Sequence, residues 1–296
     1  MRSVSLAIST LIVMVGLMSP ARAQDAGPEY RLEQVRGDLY RFSAGGYRSM
    51  VWATEEGLVV LDTLNRPAAT WLKAELAKRF NAPVRYVIYS HDHHDHSYGG
   101  DVFDDPSIIF IAHERAREQL ILTRAKTRLP ELTFQEEMAL TLGDETLRLR
   151  YHGPNNGEGS ISMLFERHKT LFVVDWIVAG RLPWKSFEGY DVEGVIRSTR
   201  EALSLDWEVF VGGHADVSDR KGVERYLAYI EALHGAVRDG MLKGQSKEAL
   251  MTSITLEMFS DLKQYEAWRA QNVAAIYDQL ARDAYLLNRP EVGPAQ

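Results

Sequence analysis

Ser-His-Asp-His-His-Asp-His, residues 90–96, places four histidines and two aspartates within seven positions. Neutral imidazole and carboxylate are the ligands that zinc and similar metal ions accept in proteins. Residues 84–89 before it are Val-Arg-Tyr-Val-Ile-Tyr, and these β-branched and aromatic side chains favour a strand. A solvated His-rich loop is the alternative, but such loops are usually repetitive and this stretch is not. The sequence therefore predicts a strand that carries a metal-binding cluster to the edge of a sheet.

The composition is that of a globular chain that folds without disulfides. The chain has 296 residues, of which 45% are hydrophobic and none is cysteine. This length can bury a large core, and any metal site must use His, Asp, Glu or amide ligands. The net charge of −7 argues against nucleic acid or an anionic membrane surface as a partner. We expect a small-molecule substrate as the partner, and the sequence leaves the oligomeric state open.

The first 23 residues have the pattern of a signal peptide. Arg2 supplies a positive charge, residues 4–18 are mostly apolar, and residues 21–23 are Ala-Arg-Ala, a signal-peptidase pattern. A membrane anchor is the alternative, but the apolar run is short for a spanning helix and ends in Ser-Pro at residues 19–20. We therefore expect cleavage before Gln24, a periplasmic or secreted protein, and no stable membrane anchor after cleavage.

The remainder of the chain contains two sets of predicted strands, each followed by helices. Alternating segments in residues 30–54 predict antiparallel strands, and the apolar run at 58–61 predicts a buried strand. A second group of strands is predicted at residues 137–174 and begins with a hairpin. We expect one domain over residues 24–216, with two sheets inside and helices outside, and C-terminal helices over 217–296 packed on it.

Polar groups also follow other predicted strands. They are the loop at residues 152–159, Asp175, and His214 after two glycines. Because side chains at strand ends can meet along one edge of a fold, these groups are predicted to lie near the histidine cluster. His168, between an arginine and a lysine, is instead predicted to lie in a solvated turn.

The pattern His-x-His-x-Asp-His at residues 91–96 resembles the signature of the metallo-β-lactamase-fold hydrolases. The resemblance extends over roughly residues 30–216. Its other landmarks are Leu61-Asp62-Thr63, Gly153-Pro154, Asp175 and Gly213-His214. It implies an α/β fold, a four-layer αβ/βα sandwich, with one or two zinc ions, or iron or manganese, on its rim.

The resemblance also implies roles for individual residues. Six residues match metal ligands of the family: His91, His93, Asp95, His96, Asp175 and His214. Asp175 matches the aspartate that bridges both metals in the glyoxalase II and lactonase branches. β-Lactamases of this fold lack that carboxylate, which argues against antibiotic hydrolysis. Asp62 is similar to a residue that supports the ligand histidines by hydrogen bonding.

One position departs from the family pattern. Gly-Pro-x-His places a third histidine of the first metal site where this chain has Asn156. An amide oxygen is a weak zinc ligand compared with imidazole. Three outcomes follow: Asn156 binds weakly, Glu158 replaces it, or the first site stays empty. Residues 155–157 can also simply form a turn. We rank a weak or empty first site above replacement by Glu158.

The resemblance favours a hydrolase that acts on an ester, lactone or thioester. Zinc lowers the pKa of bound water from about 15.7 to about 7, which provides zinc-bound hydroxide at neutral pH. Asp95 is the expected catalytic residue, because it can orient this nucleophile and take its proton. Trp184 and Tyr190, in the loop after Asp175, are the expected substrate-binding residues and predict a substrate with an apolar part.

Two other functions stay open at this point. A mononuclear iron oxygenase of the persulfide dioxygenase type needs few ligands, but it binds iron through first-site histidines, one of which is missing here. A non-catalytic metal-binding accessory protein would have lost its first site by drift. Drift would hardly spare the four matching residues Asp95, His96, Asp175 and His214.

Overall fold

Two β-sheets packed face to face form the centre of the molecule. The computed structural model describes residues 29–283, so the predicted signal peptide at residues 1–23 lies outside the described residues. The first sheet has seven strands in chain order: β1 (Tyr30–Arg36), β2 (Leu39–Ala44), β3 (Tyr47–Thr54), β4 (Gly57–Leu61), β5 (Val84–Ile88), β6 (Ile109–His113) and β7 (Leu132–Phe134). Strands β1 to β4 pair antiparallel, as predicted, and β4 to β7 pair in parallel.

The second sheet has five strands in the order β12-β11-β10-β9-β8. They are β8 (Glu137–Leu142), β9 (Glu145–Tyr151), β10 (Ile161–Phe165), β11 (Thr170–Val173) and β12 (Val209–Gly212). Strands β8 to β11 pair antiparallel, and β11 pairs in parallel with β12. The predicted hairpin is confirmed as β8 and β9, joined by a turn at residues 143–144.

Seven α-helices surround the sheets within residues 29–283. They are α1 (Arg66–Arg79), α2 (His94–Ser97), α3 (Glu114–Leu122), α4 (Val192–Ser204), α5 (Arg220–Leu242), α6 (Lys247–Ser253) and α7 (Tyr265–Asp283). Polar residues cap the start of most of them. Asn65, Asp191, Asp219 and Ser246 each accept a hydrogen bond from a backbone N–H of the first turn. No helix of the described chain is both long and apolar enough to cross a membrane.

Alternation along the strands divides the apolar side chains among three cores. In β4, Leu58 and Val60 pack with helices α1 and α3, whereas Val59 and Leu61 face the second sheet. In β11, Phe172 faces the first sheet, whereas Leu171 packs with α4 and α5. Because both faces of each sheet are buried, the layers run helix, sheet, sheet, helix. The predicted four-layer sandwich is therefore confirmed.

The C-terminal helices share a core with the second sheet. Val223 and Tyr226 of α5, and Val273 and Ile276 of α7, are buried among side chains of β11, β12 and α4. Residues 217–283 therefore pack onto the sandwich as a continuation of its outer helical layer.

His168 lies in a turn, as predicted, but the prediction that this residue is solvated is wrong. His168 is 7% exposed and lies between the carboxylates of Glu145 and Asp38, with its Nε2 3.0 Å from Asp38 Oδ1. Asp38 lies in the turn between β1 and β2, so this contact joins the two sheets. The prediction rested on the flanking cations, Arg167 and Lys169, whereas the carboxylates that contact His168 are distant along the chain.

Candidate metal centre

The histidine cluster lies at one edge of the sandwich, where strands of both sheets end. It follows β5, Asp175 follows β11 by two residues, and His214 follows β12 by two residues. Asn156 lies in the loop between β9 and β10. The structure thus brings together all the residues that the sequence predicts as ligands. It does so in two groups of donor atoms.

The first ligand group consists of His91, His93 and one oxygen of Asp175. His91 Nε2 and His93 Nδ1 each lie 3.0 Å from Asp175 Oδ2. His91 is fully buried, whereas His93 is partly exposed to the cavity. The three donor atoms therefore converge on one point.

The second ligand group consists of Asp95, His96, His214 and the other oxygen of Asp175. The Nε2 atoms of His96 and His214 lie 3.0 Å apart, too close for two protonated nitrogens. Asp175 Oδ1 lies 2.8 Å from His214 Nε2 and 3.4 Å from His96 Nε2. Asp95 Oδ2 lies 3.5 Å from His214 Nε2 and 3.8 Å from His96 Nε2.

Asp175 contributes one carboxylate oxygen to each group. Its backbone is left-handed, with φ of 66°, a conformation that non-glycine residues seldom adopt outside functional sites and turns. The Tyr190 hydroxyl donates a 3.0 Å hydrogen bond to the Asp175 carbonyl oxygen and so holds this conformation. Asp175 Oδ1 is buried and accepts no hydrogen bond from the described residues.

Asp62 supports both groups from behind and also has φ of 66°. Its carboxylate accepts 2.7 Å hydrogen bonds from the backbone N–H and the hydroxyl of Ser90. The Ser90 hydroxyl lies 2.8 Å from His91 Nδ1, and Asp62 Oδ2 lies 3.5 Å from His96 Nδ1. One buried carboxylate therefore orients a histidine of each group, which leaves the Nε2 atoms free to face the centre.

Asn156 lines the same cavity as His93 and Asp175. It is 1% exposed, and its Oδ1 has no hydrogen-bond partner among the described residues. Glu158 is exposed, and its carboxylate lies 3.6 Å from Arg115 Nη1, away from both groups. The geometry thus offers the Asn156 amide oxygen, and not Glu158, as a fourth protein ligand of the first group.

Burial and the charges of neighbouring residues shift the pKa values of the ionisable groups in this centre in opposite directions. Burial would lower the pKa of His96, but the charge of Asp175 and the contacts with Asp175 and Asp62 raise it to about 10. Burial would raise the pKa of Asp175, but the neighbouring histidines, His91 and His96 above all, hold it well below its ordinary range. Burial also opposes ionisation of Asp95, yet its contact with His214 lowers the pKa of that carboxyl. The centre is therefore built to hold positive charge.

A divalent metal ion fits this donor set. A buried polar atom without a partner costs about 1–3 kcal/mol, and Asn156 Oδ1 is such an atom within residues 29–283. Imidazole nitrogens, carboxylates and an amide oxygen are ligands for zinc, iron or manganese. The first group can hold an ion through His91, His93, Asp175 and Asn156. The second can hold one through Asp95, His96, His214 and Asp175.

A cavity of about 730 Å³ opens over the two groups. Both predicted substrate-binding residues line it, with Trp184 43% exposed and Tyr190 nearly buried. Tyr47 and Arg181 also line the cavity, and neither residue belongs to a sequence motif that predicts a binding site. The ring of Tyr47 packs edge-on against the ring of His214, with centroids 5.4 Å apart. Tyr47 begins β3 and is distant along the chain from every histidine, which explains why it was missed.

The fold and the centre together define a metal-binding member of a known class. The chain belongs to the metallo-beta-lactamase superfamily, whose family model matches residues 45–214. Two curated relatives come from Nocardioides sp. (strain JS1661). One is 2,4-dinitroanisole O-demethylase subunit alpha, which is 25% identical over 85% of this chain and 75% of its own length. The other is subunit beta of the same enzyme, which is 24% identical over 78% of this chain and 73% of its own length.

Solved structures show the same fold. A metallo-beta-lactamase from Pontibacter korlensis superposes with a TM-score of 0.62 at 15% identity and covers 69% of this chain and 99% of its own. The DIM-1 metallo-beta-lactamase superposes with a TM-score of 0.61 at 18% identity, over 69% of this chain and 98% of its own. These likenesses concern the fold, and they confirm the resemblance that the histidine signature predicts.

Proposed function

We propose that the protein is a metal-dependent hydrolase that cleaves an ester, lactone or thioester. The observation that carries this proposal is the carboxylate of Asp175, which presents one oxygen to each of two ligand groups at the floor of an open cavity. Such an arrangement suits ions that act on one substrate together. Zinc is the metal that we propose, and the donor set also suits iron or manganese.

The chain's own groups divide the work of hydrolysis. Metal ions held by the two groups would lower the pKa of water and polarise the carbonyl oxygen of the substrate. Asp95 lines the cavity and its carboxyl has a lowered pKa, so it is ionised and can orient a water molecule and accept its proton. Trp184 and Tyr190 would contact the apolar part of the substrate, while Tyr190 also fixes the backbone of Asp175.

The two curated relatives support a second candidate reaction on the same centre. Both are named as subunits of an enzyme that removes the methyl group of 2,4-dinitroanisole, an activated aryl methyl ether. Cleavage of such an ether by water attack on the activated ring carbon would use the same nucleophile as ester cleavage. We therefore propose activated aryl ethers as the second class of substrate to test.

Metal content and oxygen dependence test this proposal. The protein, purified without a metal-binding tag, is expected to contain one or two zinc ions per chain and to cleave esters, lactones or thioesters equally well in air and under argon. One iron ion and a requirement for O₂ would support an oxygenase instead. A protein that takes up no metal at micromolar supply would be an accessory protein at most, and the hydrolase proposal would be wrong.

Matched variants connect the activity to the centre. Asp95→Asn removes the proton acceptor and replaces a carboxylate ligand of the second group with a weaker amide, so it is expected to lower kcat even when excess zinc restores the metal content. Asp104→Asn is the control, because Asp104 is an exposed carboxylate paired with Lys73 away from the cavity. Equal activities of wild type and Asp95→Asn would remove Asp95 from the mechanism.

We also propose that the protein is exported and acts on a small molecule outside the cytoplasm. The support is the sequence of residues 1–23, with its positive start, apolar centre and Ala-Arg-Ala end. When the full chain is expressed in a Gram-negative host, the periplasmic fraction is expected to contain a protein that begins at Gln24. A mature protein that retains Met1 in the cytoplasm would overturn export without affecting the metal centre.

A further inference from the structure

Arg181 is a cation that lines the cavity over the two ligand groups. The side chain is partly buried, and no carboxylate of the described chain forms an ion pair with it. Its Nε donates a 3.2 Å hydrogen bond to the carbonyl oxygen of Leu182, while neither terminal amino group donates to any described residue. Removing a guanidinium from water without a partner costs free energy, so this position is unfavourable unless something binds there.

The rest of the fold holds Arg181 in this position. Its guanidinium carbon lies 5.2 Å from the ring centre of Trp268 on α7, a cation–π contact. Its backbone pairs with that of Lys263, through hydrogen bonds from Leu182 N–H to Lys263 O and from Lys263 N–H to Gly180 O, both 3.0 Å. The guanidinium is therefore fixed from behind while its terminal amino groups stay available to the cavity.

Helix α7 also fixes the loop that follows Arg181. The Asn272 side chain donates hydrogen bonds to the carbonyl oxygens of Trp184 and Lys185, and Gln279 donates one to that of Tyr190. Both Trp268 and Asn272 lie beyond residues 45–214, the part that matches the family model. The loop that forms this wall of the cavity is thus held in place by helix α7.

We propose that Arg181 binds a carboxylate of the substrate while the ester, lactone or thioester bond lies over the ligand groups. A guanidinium presents parallel N–H donors that match the two oxygens of a carboxylate. The exposed face of Trp184 lies beside it for the apolar chain between the two ends. This inference rests on the proposed hydrolase function and narrows its substrate to acidic molecules.

A pair of esters tests the subsite in the zinc-loaded protein. The probes are mono-4-nitrophenyl adipate, which has a free carboxylate, and its methyl ester, which has none. Arg181→Gln is expected to raise KM for the acid about tenfold or more, the loss of roughly one charged hydrogen bond, and to change KM for the methyl ester less than twofold. Lys221→Gln removes an exposed cation on α5 that does not line the cavity, and it is expected to change neither KM.

Binding measurements separate the subsite from the reaction. Calorimetry of the metal-free protein measures the affinity for benzoate, with neutral benzamide as the control ligand. The affinity for benzoate is expected to fall at least about fivefold in Arg181→Gln. If wild type cleaves neither ester, the hydrolase proposal fails for esters, and the benzoate comparison still decides the role of Arg181. Equal benzoate affinities in wild type and Arg181→Gln would overturn the subsite.

The variant Arg181→Lys tests whether a loss of binding in Arg181→Gln reflects the lost guanidinium or a misfolded protein. It keeps the charge and loses the paired donors, so it is expected to retain part of the preference for the acid. The thermal unfolding midpoint of each variant shows whether the fold survives. Two results with a folded Arg181→Lys would contradict binding through the paired N–H donors of the guanidinium. One is the complete loss of the preference for the acid, and the other is the full wild-type preference.

Discussion

The two ligand groups are built on the same edge of the fold, but Asn156, which completes the first group, differs in chemistry and in support from the ligands of the second group. In the second ligand group, Asp95, His96 and His214 all follow strand ends, and all are ionisable. In the first, Asn156 contributes a neutral amide from a loop of residues 152–159. Zinc prefers imidazole and carboxylate to an amide, so the second group should bind a metal ion more tightly.

The contacts that hold the ligands in place also favour tighter metal binding by the second group. The loop that carries Asn156 is held by side chains of α4: the Ser198 hydroxyl donates to His152 O, and Arg197 donates to Pro154 O. His96 lies on α2, the next element of the chain after β5, with Asp62 behind it. A ligand on a loop costs more to fix than one next to a strand, because its backbone has more freedom to lose.

The largest expected effect separates the two groups by removing one histidine from each. His96→Ala should empty the second group and lower kcat/KM at least about a hundredfold, since a metal ion contributes several kcal/mol to the transition state. His93→Ala should empty only the first group and leave one ion per chain. Metal analysis together with ester or lactone kinetics measures both. Loss of both ions from either variant would show that the groups are not independent.

The replacement Asn156→His tests the weaker group directly. An imidazole in place of the amide oxygen should raise the zinc affinity of the first group about tenfold or more, which corresponds to about 1.4 kcal/mol. The affinity of the second group should stay the same. Competition with a chromogenic chelator gives both constants. An unchanged first-group constant would mean that Asn156 does not reach the metal.

Asp62→Asn is expected to weaken both groups at once. Its carboxylate contacts His96 directly and His91 through Ser90, so the amide would disturb one histidine of each group. Loss of such supporting contacts typically costs about 10–100-fold in metal affinity. Chelator competition should therefore show two weakened constants of similar size. Weakening of the second group alone would mean that Ser90 orients His91 without help from Asp62.

The sequence predicted the centre better than the cavity above it, for a physical reason. Ligands such as His91 and Asp175 follow strands, and hydrophobic alternation locates strand ends along a chain. Arg181 and Tyr47 became visible only in three dimensions, because the contact of Arg181 with Trp268 joins residues 87 positions apart in sequence. The left-handed backbone of Asp175 was equally hidden, since it depends on the hydrogen bond from Tyr190.

The smallest expected effect concerns the loop of the first group and its anchor, His152. The His152 side chain is buried, with Nε2 2.7 Å from the Ser162 hydroxyl and Nδ1 2.9 Å from Glu201, and burial lowers its pKa. The unfolded chain therefore takes up a proton near pH 6.5, while folded His152 stays neutral to lower pH. Since the unfolded state then binds more protons, this histidine makes the protein less stable as the pH falls below about 6.5.

Replacing His152 isolates that contribution from those of the other histidines. His152→Gln keeps a polar side chain but cannot be protonated. The free energy of unfolding of the metal-free wild type and of the metal-free variant is measured in urea at pH 7.5 and pH 5.0. The difference, wild type minus variant, should be larger at pH 7.5 than at pH 5.0. A constant difference would mean that His152 is protonated equally in both states. A difference that grows in acid would mean that protonated His152 forms a stabilising ion pair with Glu201, so that acid would tighten the loop of the first group.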